Sequence, residues 1–111
     1  MLAPDCRYNL TSEETIVGPA AIVESYRCHD TRARNLFDRV EYFSAVESVD
    51  GVTAVIRFSD VLEKVGERHI YSCRQRIIVN ESRVIDSIVH EDIPTETAAV
   101  RAFMERVGVS A

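Results

Sequence analysis

RVEYFSAVESVDGVTAVIRFSDVL (residues 39–62) reads as two strands joined at Asp50-Gly51. Both runs are rich in Val, Phe, Tyr and Ile, the side chains that suit a pleated, half-buried surface. Asp-Gly between alternating apolar residues is the strongest short hairpin signal. A two-residue Asp50-Gly51 loop sets Val49 opposite Val52, Ala45 opposite Ile56, Phe43 opposite Phe58 and Glu41 opposite Asp60. The other side then pairs Val46 with Val55, Tyr42 with Ser59 and Val40 with Val61.

A second hairpin follows, 67–79 with 84–91 across Glu81-Ser82. It groups Ile78, Arg76, Arg74 and Ser72 with Ile85, Ser87, Val89 and Glu91. The opposite side pairs Gln75 with Ile88, Cys73 with His90 and Tyr71 with Asp92. A one-residue slip would move every side chain to the other face. Upstream, residues 5–10 alternate as a strand and 11–17 read as a polar turn. Gly18-Pro19 opens a helix, because proline suits the first helical position. Ile22, Tyr26, His29, Ala33 and Leu36 share its apolar face, with a kink expected near Asp30-Thr31. A last helix, 95–107, carries Val100, Phe103, Met104 and Val107 at helical spacing.

The chain has 111 residues, 46% hydrophobic and 28% charged, with a net charge of −5. This predicts one globular domain spanning 1–111 and excludes a low-complexity chain. A general nucleic-acid binder would carry a basic patch, so no nucleic-acid partner is expected. The basic residues are twelve Arg to one Lys, Lys64, which fits a composition bias of the source genome. Three cysteines without a C-x-x-C pair form neither a disulfide framework nor a zinc signature, which points to a reducing cytoplasm. The N-terminus shows no signal-peptide pattern, no apolar run is long enough to span a membrane, and no metal or cofactor is expected.

The segments LAPDCRYNL (2–10), VGPAAIVESY (17–26) and RVIDSIVHED (83–92), separated by long antiparallel strands, resemble the nuclear transport factor 2-like superfamily. The resemblance is to its SnoaL-like and ketosteroid-isomerase-like branches and covers about residues 2–92. It implies an α+β fold, a cone-shaped roll in which a curved, mainly antiparallel sheet wraps a long helix around a cavity. Here a C-terminal helix is added. It also implies a homodimer. Two departures stand out. The family's helices before the first strand are missing, so either the start is truncated or the C-terminal helix takes over their covering role. The isomerase base falls at Leu10 or Thr11, and that branch's second acid falls at Arg74 or Arg76. Steroid-isomerase chemistry therefore does not carry over, since proton abstraction needs a base.

With the family's orientation, the cup carries Tyr8, Phe43, Ile56, Phe58, Ser72, Arg74, Arg76, Val89 and Glu91, and the helix adds Tyr26 and His29. An apolar cup with a few polar groups is the composition of a small-molecule site, and equally of a filled core. Arg74 and Arg76 fit either an ion network with Asp60, Glu91 and Asp30 or a fork for an anionic ligand. His29 and Asp30 are the acid–base candidates, against the alternative that His29 is a satisfied core residue. His90 and Asp92 share the outer side, and Cys73–His90 there has the form of a nucleophile–base pair.

Three functions follow: a small-molecule-binding module, a small isomerase, cyclase or lyase using an inward acid or His29, and a dimerisation scaffold without a cavity. The outer face is expected to collect Val40, Tyr42, Val46, Tyr71, Cys73, Ile77 and Ile88. A patch of that size exceeds what monomers expose and predicts a homodimer centred on Ile77, Ile88 and Tyr71.

Overall fold

The computed structural model describes residues 1–109. Its elements are β1 (Leu2–Asn9), β2 (Thr15–Val17), α1 (Pro19–Leu36), β3 (Arg39–Asp50), β4 (Thr53–Lys64), β5 (Glu67–Val79), β6 (Ile85–Glu91) and α2 (Pro94–Arg106). The strands form one sheet in the order β2-β1-β6-β5-β4-β3. Every ladder is antiparallel except β1 with β6, which is parallel. This is the expected α+β roll. Residues 15–17, read as turn, instead form a short strand beside β1, with Tyr8 opposite Ile16.

α1 begins as its sequence dictates. Pro19 occupies the first turn, and Gly18 precedes it at φ +93°, in the region that favours glycine. Gly18 N–H donates to the Cys6 carbonyl at 2.8 Å, tying the helix start to β1. No kink interrupts the helix near Asp30; it runs unbroken to Leu36.

Two turns and a bulge set the register. Asp50 pairs with Thr53, so the central turn residues are Gly51 and Val52, with Gly51 at φ +59°. Glycine at the first central position is the type II′ pattern, which accounts for the turn lying one residue later than Asp50-Gly51. A bulge at Glu47 then shifts the pairing again, and Tyr42 faces Asp60 rather than Ser59. The next turn is Val65-Gly66, both with positive φ, and it places Phe58 opposite Cys73 and Asp60 opposite Tyr71. Asp38 braces it by accepting from Val65 N–H at 2.9 Å, a bond that holds the Asp38 carboxyl below its usual range. The β5–β6 loop runs longer than two residues because Asn80 Oδ1 accepts from the N–H groups of Ser82 and Val84. Gln75 consequently faces His90, not Ile88.

The register decides which face is inside. Val40, Tyr42, Phe58, Asp60, Tyr71, Cys73, Gln75, Ile77, Ile88 and His90 share the concave face. Phe43, Ser59, Ser72, Arg74, Arg76, Val89 and Glu91 share the convex face. The Val65-Gly66 turn thus inverts the expected assignment of the second hairpin, and the one-residue slip at Glu47 inverts that of Phe43.

Both helices cover the concave side at two separate clusters. Ile22 of α1 packs with Ala3, Cys6, Tyr8 and Ile88. At the far end, Phe103 and Val107 of α2 pack with Phe37, Val40 and Leu62. Phe103 is fully buried and stacks between Phe37 and His69, with ring centroids at 6.3 and 5.0 Å. α2 also covers the open stretch of the β5 edge, where Glu96 accepts from Ser72 N–H at 2.9 Å. Among the described residues no helix is long and apolar enough to cross a membrane.

Ile88 is therefore core, 4% exposed, and not part of an outer patch. Tyr71 and Ile77 likewise pack against the two inner clusters. Ile88→Glu is expected to unfold the chain, since a buried unpaired charge costs upwards of about 4 kcal/mol. Circular dichroism of the purified variant checks this; a folded variant with native urea midpoint would contradict the packing.

Candidate functional site

Between the two clusters α1 leaves the sheet uncovered. Ile22 anchors one end, and Ala33 and Leu36 reach the other cluster. The intervening turn, with Tyr26, His29 and Asp30, bridges a cleft of about 890 Å³. Tyr8, Tyr42, Phe58, Asp60, Cys73, Gln75 and His90 form its sheet side. Leu10, Thr11 and Ser12, from the loop after β1, complete the wall. This is an aromatic cup with a small number of polar groups.

The polar groups fall into two kinds. Some are committed to one another. Gln75, 5% exposed, accepts from Tyr26 Oη at 3.1 Å and donates to Tyr8 Oη at 3.2 Å. The two tyrosine rings stack at 5.3 Å, so this network fixes α1 against β1 and β5. Burial raises the pKa of both phenols. Asp30 takes the Tyr42 hydroxyl at 2.6 Å and Arg34 at 2.9 Å, and these contacts, the Tyr42 bond first, hold its carboxyl below the usual range. His90 Nε2 lies 2.9 Å from Asp92, which also receives the Tyr71 hydroxyl at 3.5 Å.

Others have no partner among the described residues. His29 lines the cleft and makes no hydrogen bond there. His90 Nδ1 is buried and unpaired. Asp60 sits between Tyr42 and Tyr71 in the sheet, yet both tyrosines give their hydroxyl hydrogens to other carboxylates. Burial raises the Asp60 pKa, against the attraction of His29 and His90. Burial pushes the Cys73 thiol up to about 11. It stays protonated at neutral pH, a poor nucleophile for the Cys73–His90 pairing, although both now line the cleft.

Of the expected site residues, Tyr8, Tyr26, Phe58, His29 and Asp30 do meet at the cleft. Ile56 shares the concave face through its pairing with Gln75 but lies outside the cleft lining. Phe43, Arg74, Arg76 and Val89 do not belong: they are on the convex face. There Arg74 pairs with Glu47 at 2.9 Å and Arg76 with Glu91 at 3.1 Å. The arginines are thus in ion pairs, of which only Arg76–Glu91 was expected; Asp60 and Asp30 lie on the other side, and Glu47, at the bulge, takes Arg74. Sequence reasoning placed Asp60 on the inner side, but as a partner for the arginines, and missed Tyr42, Gln75 and the inward position of His90. Val65-Gly66 was the signal that could have found the last two, because a two-residue turn there sets Cys73 and Gln75 on the side of Phe58.

No protein-family model matches the chain, and no curated protein matches it in sequence. Solved structures do match it in shape. TerC, co-crystallised with polyporic acid, superposes with a TM-score of 0.65 at 12% identity, over 94% of this chain and 80% of TerC. A protein described as a SnoaL-like polyketide cyclase from Jannaschia sp. CCS1 gives 0.61 at 12% identity, over 99% and 75% of the two chains. A de novo designed NTF2 fold protein, NT-9, gives 0.52 at 22% identity, over 92% and 71%. Identities this low carry the fold alone, and on that ground, with its strand order and its helix-bridged concave sheet, the chain has the nuclear transport factor 2-like fold.

Proposed function

We propose that the chain binds a small, flat, partly apolar molecule in the cleft under α1. The observation that carries this is the pairing of an open aromatic cup with an unpartnered carboxylate on its floor. A cup serving only as core would be filled by its own side chains. Asp60 is half-buried and takes no hydrogen bond from the described residues, which leaves it free for a ligand donor. The size of the cleft suits a small-molecule site, for which about 300–1,000 Å³ is usual. TerC, of the same fold, was co-crystallised with a small molecule, polyporic acid. A pure scaffold would have no such opening. Free cysteines at positions 6, 28 and 73 fit the cytoplasmic setting we infer.

A thermal-shift screen of small aromatic acids, phenols and quinones tests the reading, because a ligand of the folded state raises the melting temperature by mass action. Hits should vanish in a Cys73→Trp variant that fills the cup and persist in Ile70→Ser on the convex face. A screen with no hits, or hits that survive Cys73→Trp, counts against it.

Asp60 also makes a stability prediction. Its pKa is raised by burial, so the ionised form is disfavoured in the folded state. The fold keeps full stability below the ordinary carboxylate pKa of about 3.9 and loses some as pH rises through the folded value. Asp60→Asn should therefore raise the melting temperature at pH 7 and leave it unchanged near pH 3. A variant no more stable than the wild type at pH 7 would contradict a raised Asp60 pKa.

We also retain homodimerisation through the convex face as a proposal, with a different centre. Phe43 and Ile70, 57% and 50% exposed, flank Val61 on that face. A two-fold contact there buries them both. Light scattering behind a sizing column should give a dimer for the wild type and a monomer for Phe43→Glu; a wild-type monomer rejects the contact.

A further inference from the structure

We infer that α2 is a cover released in mild acid, with His69 as the group that senses the proton. The inference concerns the far end of the concave face and stands apart from the cleft and from whatever it binds.

Few ties hold α2. Among the described elements its backbone comes close to β5 alone. Two polar ties join it to that strand. Glu96 accepts from Ser72 N–H at 2.9 Å, and Arg106 donates to Glu67 at 2.9 Å in an exposed pair that contributes little. The rest is one apolar contact. Phe103, fully buried, lies between Phe37 and His69, and Val107 packs with it on Val40 and Leu62. The residues around Ile22 form a separate cluster and do not depend on this contact. An element held by so few buried contacts opens on its own, ahead of the fold as a whole.

His69 puts a titratable ring into that contact. It faces Leu62 of β4, and it stacks on Phe103 with centroids 5.0 Å apart and planes 17° from parallel. Its Nε2 is out of reach of solvent and has no hydrogen-bond partner among the described residues. A neutral imidazole tolerates this, because one ring nitrogen carries no hydrogen and can be the buried one. An imidazolium does not. Both nitrogens then carry hydrogens, and the Nε2–H is left in an apolar contact with nothing to receive it. The charged groups around it are already engaged. Glu67, on the same side of β5, is paired with Arg106 of α2, and Lys64 of β4 reaches Asp38, which also takes Val65 N–H. Tyr71, the next inward residue of β5, gives its hydroxyl to Asp92. The remaining charged residues of this end of α2, Arg101 and Glu105, are exposed, as are Arg32 and Arg34 of α1. The Arg106 guanidinium already lies 5.5 Å from the Phe103 ring centre, so a second cation on the other side of that ring is repelled.

The direction follows from linkage. With α2 undocked the ring sits in water and titrates as an ordinary imidazole, near pH ~6.5. With α2 docked, protonation is opposed. Docking is therefore at full strength above about pH 6.5 and weakens as pH falls below it. One unit lower, the undocked form gains about tenfold, because about ten undocked rings are charged for each neutral one. Phe103 then leaves its cluster, Glu96 leaves the Ser72 N–H, and Phe37, Val40 and Leu62 become open apolar surface. His90 also buries a bare nitrogen, Nδ1, but its Nε2 lies 2.9 Å from Asp92, and a charge on the ring strengthens that bond. His90 thus does not favour release.

Amide hydrogen exchange of the full chain, read by mass spectrometry at about pH 7.5 and about pH 5.5, tests this once the intrinsic pH dependence of exchange is removed. Peptides covering Pro94–Arg106 should lose about tenfold in protection between the two, while β1 and the start of α1 keep theirs. His69→Phe keeps a ring against Phe103 and takes no proton, so it should hold α2 equally at both pH values. His69→Gln, uncharged throughout, serves the same purpose if the larger ring disturbs the packing. His90→Gln should respond as the wild type does. Four results overturn the proposal. The first is α2 protection in the wild type that does not change with pH. The second is a loss in the His69 variants as large as in the wild type, and the third is a His90→Gln variant that no longer responds; each puts the sensor elsewhere. The fourth is a loss spread evenly over the chain, which makes the event global unfolding and α2 no separate cover.

Discussion

α1 packs apolar side chains on the sheet at its two ends and reaches it in the middle only through Tyr26 and Asp30, and the rest of the molecule follows from that. Near its start Ile22 is buried against Cys6, Tyr8 and Ile88, and the Gly18–Cys6 backbone bond fixes its entry. At its end Ala33 and Leu36 join a second cluster built around Phe103 of α2. Between the clusters the unbroken helix touches the sheet only through Tyr26 and Asp30, and the space left around them is the cleft. Interiors otherwise pack densely, and this opening lies between two separately packed clusters.

α2 matters to the same arrangement. It covers the concave face where β3, β4 and β5 would otherwise present Val40, Leu62 and His69 to solvent, and Glu96 caps an unpaired N–H of the β5 edge. The sheet's other lateral edge is different. β3 is exposed along most of its length, with Phe43, Val46 and Val49 open to solvent. Its defence against pairing with other chains is local: the Glu47 bulge, and charged residues at both ends, Arg39 and Asp50.

Within the cleft, polarity is distributed by function. Gln75 bonds both Tyr8 and Tyr26, a satisfied network that costs little to bury and locks the helix over the sheet. Asp30 and Asp92 each restrain a tyrosine. Asp60 restrains nothing. A half-buried carboxylate left free between two restrained tyrosines is the pattern in which sites with a task depart from what packing alone would favour.

Much of the architecture was legible in the sequence, because it rests on local physics. The order of elements, the hairpin near Gly51, the Gly18-Pro19 helix start and the Phe103 face of α2 each depend on one residue's backbone freedom or on a periodicity. The resemblance of residues 2–10, 17–26 and 83–92 supplied the roll itself. The faces of the sheet were not legible in this way. They turn on parity, and parity was changed by a single bulged residue, Glu47, which carries no sequence mark of its own, and by the unread turn at Val65-Gly66. That is why Arg74 and Arg76 were expected inside and Tyr42 and Gln75 outside. Tyr8, Tyr26, Phe58 and His29 were found from sequence because each lies on an element whose inward side is fixed by apolar spacing. Asp60 was placed on the inner side but given the wrong partners, since its surroundings depend on where two tyrosines from neighbouring strands send their hydroxyl hydrogens. The sequence by itself thus determined which elements form and in what order. Only the tertiary structure decided which residues face one another across the cleft, because that depends on register summed over three strands and on a helix anchored at both ends.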